Sequence, residues 1–325
     1  MKNPRIVFMG TPEFAVATLG SLLMNGFNVV GVVTVPDKPA GRGRKITMSP
    51  VKTFANDSSL KVLQPANLKD AAFLNELKEL APDYIIVVAF RKLPEAVWAL
   101  PRGGTINLHA SLLPHYRGAA PINHVIINGE QETGITTFFI NEKIDTGEIL
   151  LRESVPVYNN ENAGDLHNRL MKLGALLVVK TLKGLTDKSI KPQNQNGFLK
   201  QGELPKEAPK IFPSDCVIDW NQPVEKVHNL IRGLSPYPCA RSGFKSKSGT
   251  LVFKIFESRP EPADEPGKPG TIVTDNKNYL RIACKDGWLT ITSLQIEGKK
   301  RLGIQEFLRG FSLSGYTIEP NLQVS

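Results

Sequence analysis

Short runs of apolar, largely β-branched residues recur through the first 183 positions of the chain, at Arg5 to Met9, Asn28 to Thr34, Tyr84 to Ala89, Thr105 to Leu108 and Gly134 to Ile140. Their near-continuous apolarity is that of strands covered on both faces, the usual condition of a parallel sheet. Segments of helical spacing lie between them, including Pro12 to Met24, Leu68 to Leu80 and Ala163 to Lys183. Pro12 suits a first helical position, with Thr11 as its cap. Such an alternation predicts an α/β, doubly wound, Rossmann-like parallel sheet, in which ligands bind beyond the carboxyl ends of the strands.

The second part of the chain is written differently. From Gly184 to Lys210 it is polar and punctuated, as in Lys191-Pro192-Gln193-Asn194-Gln195-Asn196-Gly197, which is a linker composition. Beyond it, Thr250 to Glu257, Thr271 to Thr274, Tyr279 to Ala283 and Trp288 to Ile296 read as short strands between Pro, Gly and Asp turns. They predict a small antiparallel β-barrel of OB-like type, accompanied by helices at Val224 to Ile231 and Ile304 to Leu308. The expected division is a catalytic domain over 1–189, a linker over 190–209 and a β-barrel domain over 210–325. A total of 325 residues accommodates two domains at about 100–200 residues each.

Composition removes several functional classes. No apolar run reaches the roughly 18 residues of a membrane span, and Met1 to Gly10 lacks a cleavage region, so a cytoplasmic protein is expected. Cys216, Cys239 and Cys284 are three and far apart, which fits buried reduced thiols better than disulfides or zinc. The turn Met9-Gly10-Thr11-Pro12-Glu13 has one glycine where a dinucleotide fingerprint has three, and neither a phosphate loop nor a nucleophile elbow occurs. His115, His124, His167 and His228 have no partners at metal-ligand spacing, so no metal is expected. The net charge of +9 favours a polyanionic partner without identifying one.

Three segments could carry chemistry. Asn107 and His109 alternate along a strand and so share a face at its carboxyl end, where an amide and an imidazole can stabilise an oxyanion. The bland alternative is a capping amide beside a satisfied core histidine. A long loop fixed by Pro114, Gly118 and Pro121 follows, and such loops in this position are commonly functional. Asp145, in Asn141-Glu142-Lys143-Ile144-Asp145-Thr146-Gly147, is either an ordinary turn aspartate or a carboxylate that supports His109. The loop from Pro36 to Lys52 carries Lys38, Arg42, Arg44, Lys45 and Lys52 against the single acid Asp37. It is either a solvated surface or a phosphate-contacting loop.

The run Asn107-Leu108-His109-Ala110-Ser111-Leu112-Leu113-Pro114-His115-Tyr116-Arg117-Gly118-Ala119-Ala120-Pro121-Ile122 resembles the signature of the folate-dependent formyltransferases. Phe8 to Ala15, Pro39 to Gly43, Asp145 to Gly147 and Gly298 to Gly310 resemble the same family in the same order. The resemblance implies transfer of a formyl group from 10-formyltetrahydrofolate, as cosubstrate, to the α-amine of methionine on initiator tRNA. It assigns catalysis to Asn107, His109 and Asp145, and contact with the folate to Ser111, Leu112, Leu113 and Pro114. It gives contact with the tRNA acceptor end to Arg42 with Lys38, Arg44 and Lys45, and implies a monomer. In one place the chain departs from the family: Ala89-Phe90-Arg91 stands where relatives often have Ala-Tyr-Gly, which puts an arginine at the edge of the expected pterin pocket. Two alternatives stay open at this point, a formyltransferase or formyl-folate hydrolase acting on a small molecule, and an RNA-binding protein on an inert α/β scaffold.

Overall fold

The computed structural model describes residues 3–40, 45–265, 267–320 and 322. The chain separates into two units that interleave in sequence. The first consists of the residues up to Gly118 with Glu132–Pro156 and His167–Glu207; the second consists of Ala119–Gln131, Val157–Leu166 and the residues from Ala208 onward.

The first unit is built on a sheet of β1 (Arg5–Gly10), β2 (Asn28–Val33), β3 (Val62–Leu63), β4 (Tyr84–Val88), β5 (Thr105–His109), β6 (Glu132–Phe139) and β7 (Ile149–Pro156). The strand order is β7-β6-β5-β4-β1-β2-β3. The five strands from β5 to β3 are parallel, which is the doubly wound arrangement with its change of direction between β1 and β4. β6 departs from the parallel expectation, for it runs antiparallel to β5, and β7 runs antiparallel to β6. Apolarity reports burial and not direction: β6 is buried from Thr133 to Phe138, so it reads like its parallel neighbours. β7 escaped the sequence pattern because Arg152-Glu153-Ser154 interrupts its apolar residues.

The helix Glu13–Met24 begins one residue later than expected. Pro12 occupies the cap position, and no side chain caps the helix, Thr11 included. Gly10 makes the turn before it feasible, because a Cβ there would lie 2.6 Å from Ala15 Cβ. The helix expected from Leu68 starts at Ala71, since the Asp70 carboxylate accepts from the amides of Ala72 and Phe73 and sets its first turn. The helix Pro50–Asp57, which the sequence reading passed over, is capped by the Ser49 hydroxyl.

The segment of linker composition is held against the first unit. Gln193 exchanges both backbone hydrogen bonds with Ile149, each 2.8 Å long. A single 3₁₀ turn follows at Gln195–Phe198, and the Arg152 guanidinium lies 4.5 Å above the Phe198 ring.

The second unit has an antiparallel sheet of β8 (Ala240–Ser246), β9 (Gly249–Pro262), β10 (Ile272–Thr274), β11 (Leu280–Ala283), β12 (Gly287–Ile296), β13 (Leu302–Gly303) and β14 (Thr317–Glu319). Its order is β10-β11-β12-β9-β8-β14, with β13 on β12. β8 was not visible in the sequence because Ala-Arg-Ser-Gly lacks the β-branched residues that mark a strand. The helix Val224–Leu234 buries Val227, Ile231 and Leu234 in the unit's core. Phe253 sits at the centre of that core, with the rings of Phe244, Phe307 and Phe311 at 4.2, 5.8 and 6.1 Å. Cys216, Cys239 and Cys284 are free and buried, and burial pushes the thiols of Cys239 and Cys284 up to about 12.

Candidate active site

Asn107 and His109 leave β5 on one face at its carboxyl end, with Val87 of β4 opposite Asn107 on one side and Phe138 of β6 on the other. His109 is only 6% exposed, and its ring stands nearly perpendicular to the Phe138 ring with centroids 6.5 Å apart. Its Nε2 lies 2.8 Å from the Tyr116 carbonyl, which can only accept, so the neutral ring carries its proton there. Nδ1 is therefore the nitrogen that gains a proton, and it faces Asp145 Oδ2 at 3.8 Å. That separation is a charge pairing and not a hydrogen bond, so an Nδ1 proton remains available to a third group. Asn107 is half-buried, and its amide makes no hydrogen bond among the described residues.

The loop after β5 is tied to β6. Thr136 Oγ1 donates to Ser111 O at 2.6 Å and accepts from Leu113 N at 3.2 Å, while Ser111 Oγ donates to His115 O at 2.7 Å. The loop returns through Tyr116, whose φ of 62° is left-handed, and Gly118 N donates to Asp145 Oδ2 at 2.9 Å. Asp145 itself has φ 53°. The turn containing it closes at Gly147, where a Cβ would fall 1.6 Å from Phe139 O. Arg117 Nε and a terminal nitrogen donate to Gln195 Oε1 at 3.1 and 2.6 Å, and Gln195 Nε2 donates to the carbonyls of Asp145 at 2.9 Å and Gly147 at 2.8 Å. Burial lowers the pKa of Arg117, and the nearby Asp145 and Glu207 charges oppose that shift.

The structure thus brings together Asn107, His109 and Asp145, which are separated by up to 38 positions in sequence. The assigned folate contacts divide. Ser111 and Leu113 are fully buried, Pro114 is buried and Leu112 is half-buried, so Leu112 has the most accessible side chain of the four. Leu113 instead packs with Phe138 and Ile149. In the basic loop, Lys38–Ala40 pairs antiparallel with Lys45–Thr47, and Lys38 is exposed. Arg42 and Arg44 lie outside the described residues. Asp37 is engaged at the base of this hairpin by Lys52 at 2.6 Å and Gln64 at 2.8 Å, which lower its pKa. Gln195 was missed, because nothing in Gln193-Asn194-Gln195-Asn196 distinguishes one buried amide from its exposed neighbours.

Arg91 donates to the carbonyls of Pro65 and Ala66, just beyond the carboxyl end of β3. The left-handed residue of its loop is Ala89, with φ 47°, so the exchange of glycine for arginine imposes no strain at position 91. Among the described residues no group of three or more His, Cys, Asp and Glu side chains is placed to hold a metal ion, and no helix is long and apolar enough to cross a membrane.

An amide, an imidazole and a carboxylate at the carboxyl end of a doubly wound sheet are groups able to stabilise an oxyanion and move a proton, the requirements of acyl transfer. Comparison with known proteins specifies the acyl group: the formyl transferase family matches residues 4–182, and the formyl transferase C-terminal domain matches residues 210–312. The chain belongs to the formyl transferase family. Within it, the chain is similar to the methionyl-tRNA formyltransferase of Bacteroides fragilis, at 54% identity over 95% of this chain and 96% of that protein. The methionyl-tRNA formyltransferase of Flavobacterium johnsoniae is 48% identical over 97% and 98%. Among solved structures, HypX from Aquifex aeolicus matches with a TM-score of 0.63 at 20% identity, and this chain covers 48% of it. The sugar 3N-formyl transferase WlaRD matches with a TM-score of 0.61 at 22% identity over 99% of its length.

Proposed function

We propose that the protein transfers the formyl group of 10-formyltetrahydrofolate to the α-amine of methionine esterified to initiator tRNA. The observation that carries this reading is the meeting of Asn107, His109 and Asp145 at the end of β5, in a chain about half identical to methionyl-tRNA formyltransferases along almost its whole length. In the reaction the amine nitrogen attacks the formyl carbon, the bond from that carbon to the folate nitrogen breaks, and one proton passes from amine to leaving nitrogen. The open Asn107 amide and the Nδ1 proton of His109 stabilise the developing oxyanion. Asp145 stabilises the charged imidazole and relays the proton, directly or through water. The 3.8 Å gap between Nδ1 and Oδ2 lets His109 serve substrate and carboxylate in turn.

A reduced folate fits the residues present. Ala89, which follows β4, is exposed, and Leu112, in the loop after β5, is half-buried, so the ends of these neighbouring strands offer accessible surface to the pterin. Residues 1–189 carry the reacting groups in this reading, 190–209 connect while also packing on the first unit, and 210–325 serve the acceptor. Lys38, Arg42, Arg44 and Lys45 contact the acceptor stem. The three reacting side chains meet without a residue from a second copy, so the reading requires no oligomer, and charged tRNA as substrate supports action in the cytoplasm. The test compares charged initiator tRNA, charged elongator tRNA and free methionine as acceptors. Efficient formylation of the first alone is expected; equal use of free methionine would overturn the acceptor, and no turnover with any would overturn the reaction.

A further inference from the structure

Gln195 lies in a stretch whose composition is that of a connector, yet it is only 3% exposed and every polar atom of its side chain is used. Its Oε1 accepts two hydrogen bonds from Arg117, and its Nε2 donates to the carbonyls of Asp145 and Gly147. The three residues Tyr116-Arg117-Gly118 link His109, Asp145 and Gln195: Tyr116 O receives the Nε2 of His109, Gly118 N holds Oδ2 of Asp145, and Arg117 grips Gln195. Gln195 then closes the ring by holding the backbone of Asp145 itself. Both Tyr116 and Asp145 are left-handed, at φ 62° and 53°, a conformation uncommon for a bulky residue such as Tyr116 and better tolerated by aspartate.

We propose that Gln195 is a positioning residue for the formyl transfer, acting through Asp145 by locking the Asp145–Gly147 turn against the loop that receives His109. An amide suits this place because it must accept from a guanidinium and donate to two carbonyls at once. A carboxylate would satisfy Arg117 and repel the carbonyls; an apolar side chain would leave Arg117, Asp145 O and Gly147 O without this partner. The inference rests on the formyl-transfer reading above.

The experiment uses the full-length enzyme with charged initiator tRNA and 10-formyltetrahydrofolate, comparing wild type, Gln195→Met, Gln195→Glu, Asp145→Ala and the double variant Asp145→Ala with Gln195→Met. Both Gln195 variants should lose about 10- to 100-fold in kcat, as small misplacements of a reacting group do, with each KM within about twofold of wild type. On the Asp145→Ala background, Gln195→Met should cost no more than about a further twofold, because its target is gone. Unchanged kcat in Gln195→Glu, a loss confined to KM, or an equal loss on both backgrounds would each overturn the positioning role. Gln195→Glu keeps the length of the side chain and the Arg117 contact, so it carries the test should Gln195→Met not fold. Full activity of Asp145→Ala would sink the site reading instead, whereas an inactive Asp145→Ala beside a fully active Gln195→Met would sink the positioning role alone.

Discussion

At the scale of single residues, the site depends on which nitrogen of His109 carries the proton. The Tyr116 carbonyl claims Nε2 and leaves Nδ1 to face Asp145. Removing an oxyanion donor costs about 100-fold or more in rate, or about 3 kcal/mol. His109→Ala and Asn107→Ala should therefore each lower kcat by that much with an unchanged far-ultraviolet spectrum, as single-turnover formylation will show. In the second unit, His228 makes stability depend on pH. His228 is buried, its Nδ1 lies 3.0 Å from Ser258 Oγ, and burial together with the Arg232 charge lowers its pKa to about 4. In the unfolded chain the same group titrates near 6.5. Between those values the unfolded state binds a proton that the folded state excludes, so stability falls as pH drops through that window and is unaffected above it. The loss by pH 4 is on the order of 3 kcal/mol. The urea midpoint should fall with acid in wild type and less so in His228→Gln.

At the scale of elements, Asp145 owes its place to a turn between two antiparallel strands. β6 and β7 form a hairpin on the edge of β5, and the turn joining them fits only because position 147 has no side chain. Gly147→Ala would press a Cβ onto Phe139 O, 1.6 Å away. The turn must then shift, and overpacking of this kind costs about 1–3 kcal/mol. We expect a lowered thermal midpoint together with a kcat loss of about tenfold or more, since Asp145 moves with the turn. The sequence run from Asn107 to Pro114 was readable because strand alternation puts Asn107 and His109 on one face whatever the partner strands are. The antiparallel direction of β6 was not readable, since it depends on which edge of β5 remains free after β4 has taken the other.

At the scale of the whole molecule, the charge of +9 is set against a large anionic acceptor and a small donor. Counterion release makes only the first interaction strongly salt-dependent. KM for charged initiator tRNA should climb steeply as salt rises from about 50 to 200 mM while KM for the folate donor stays nearly level. Arg42→Ala should weaken tRNA use and reduce that salt slope by about one, with the donor KM unchanged. An equal salt response of both substrates would count against the basic hairpin as the tRNA contact.

Periodicity and motif carried the fold class, the Asn107 and His109 face and the family, because alternation and local spacing are properties of neighbouring residues. Three matters lay beyond them. Asp145 comes within 3.8 Å of His109 only through the pairing of β6 with β5. Ser111 and Leu113 turn inward because Thr136 anchors their backbone, leaving Leu112 as the partly accessible side chain of that stretch. Gln195 becomes a structural part of the site because Gln193 pairs with Ile149 and delivers it there. Each is a contact across 23 to 50 positions of chain. Such contacts are set by which surfaces meet when the sheet closes, and no local pattern encodes that.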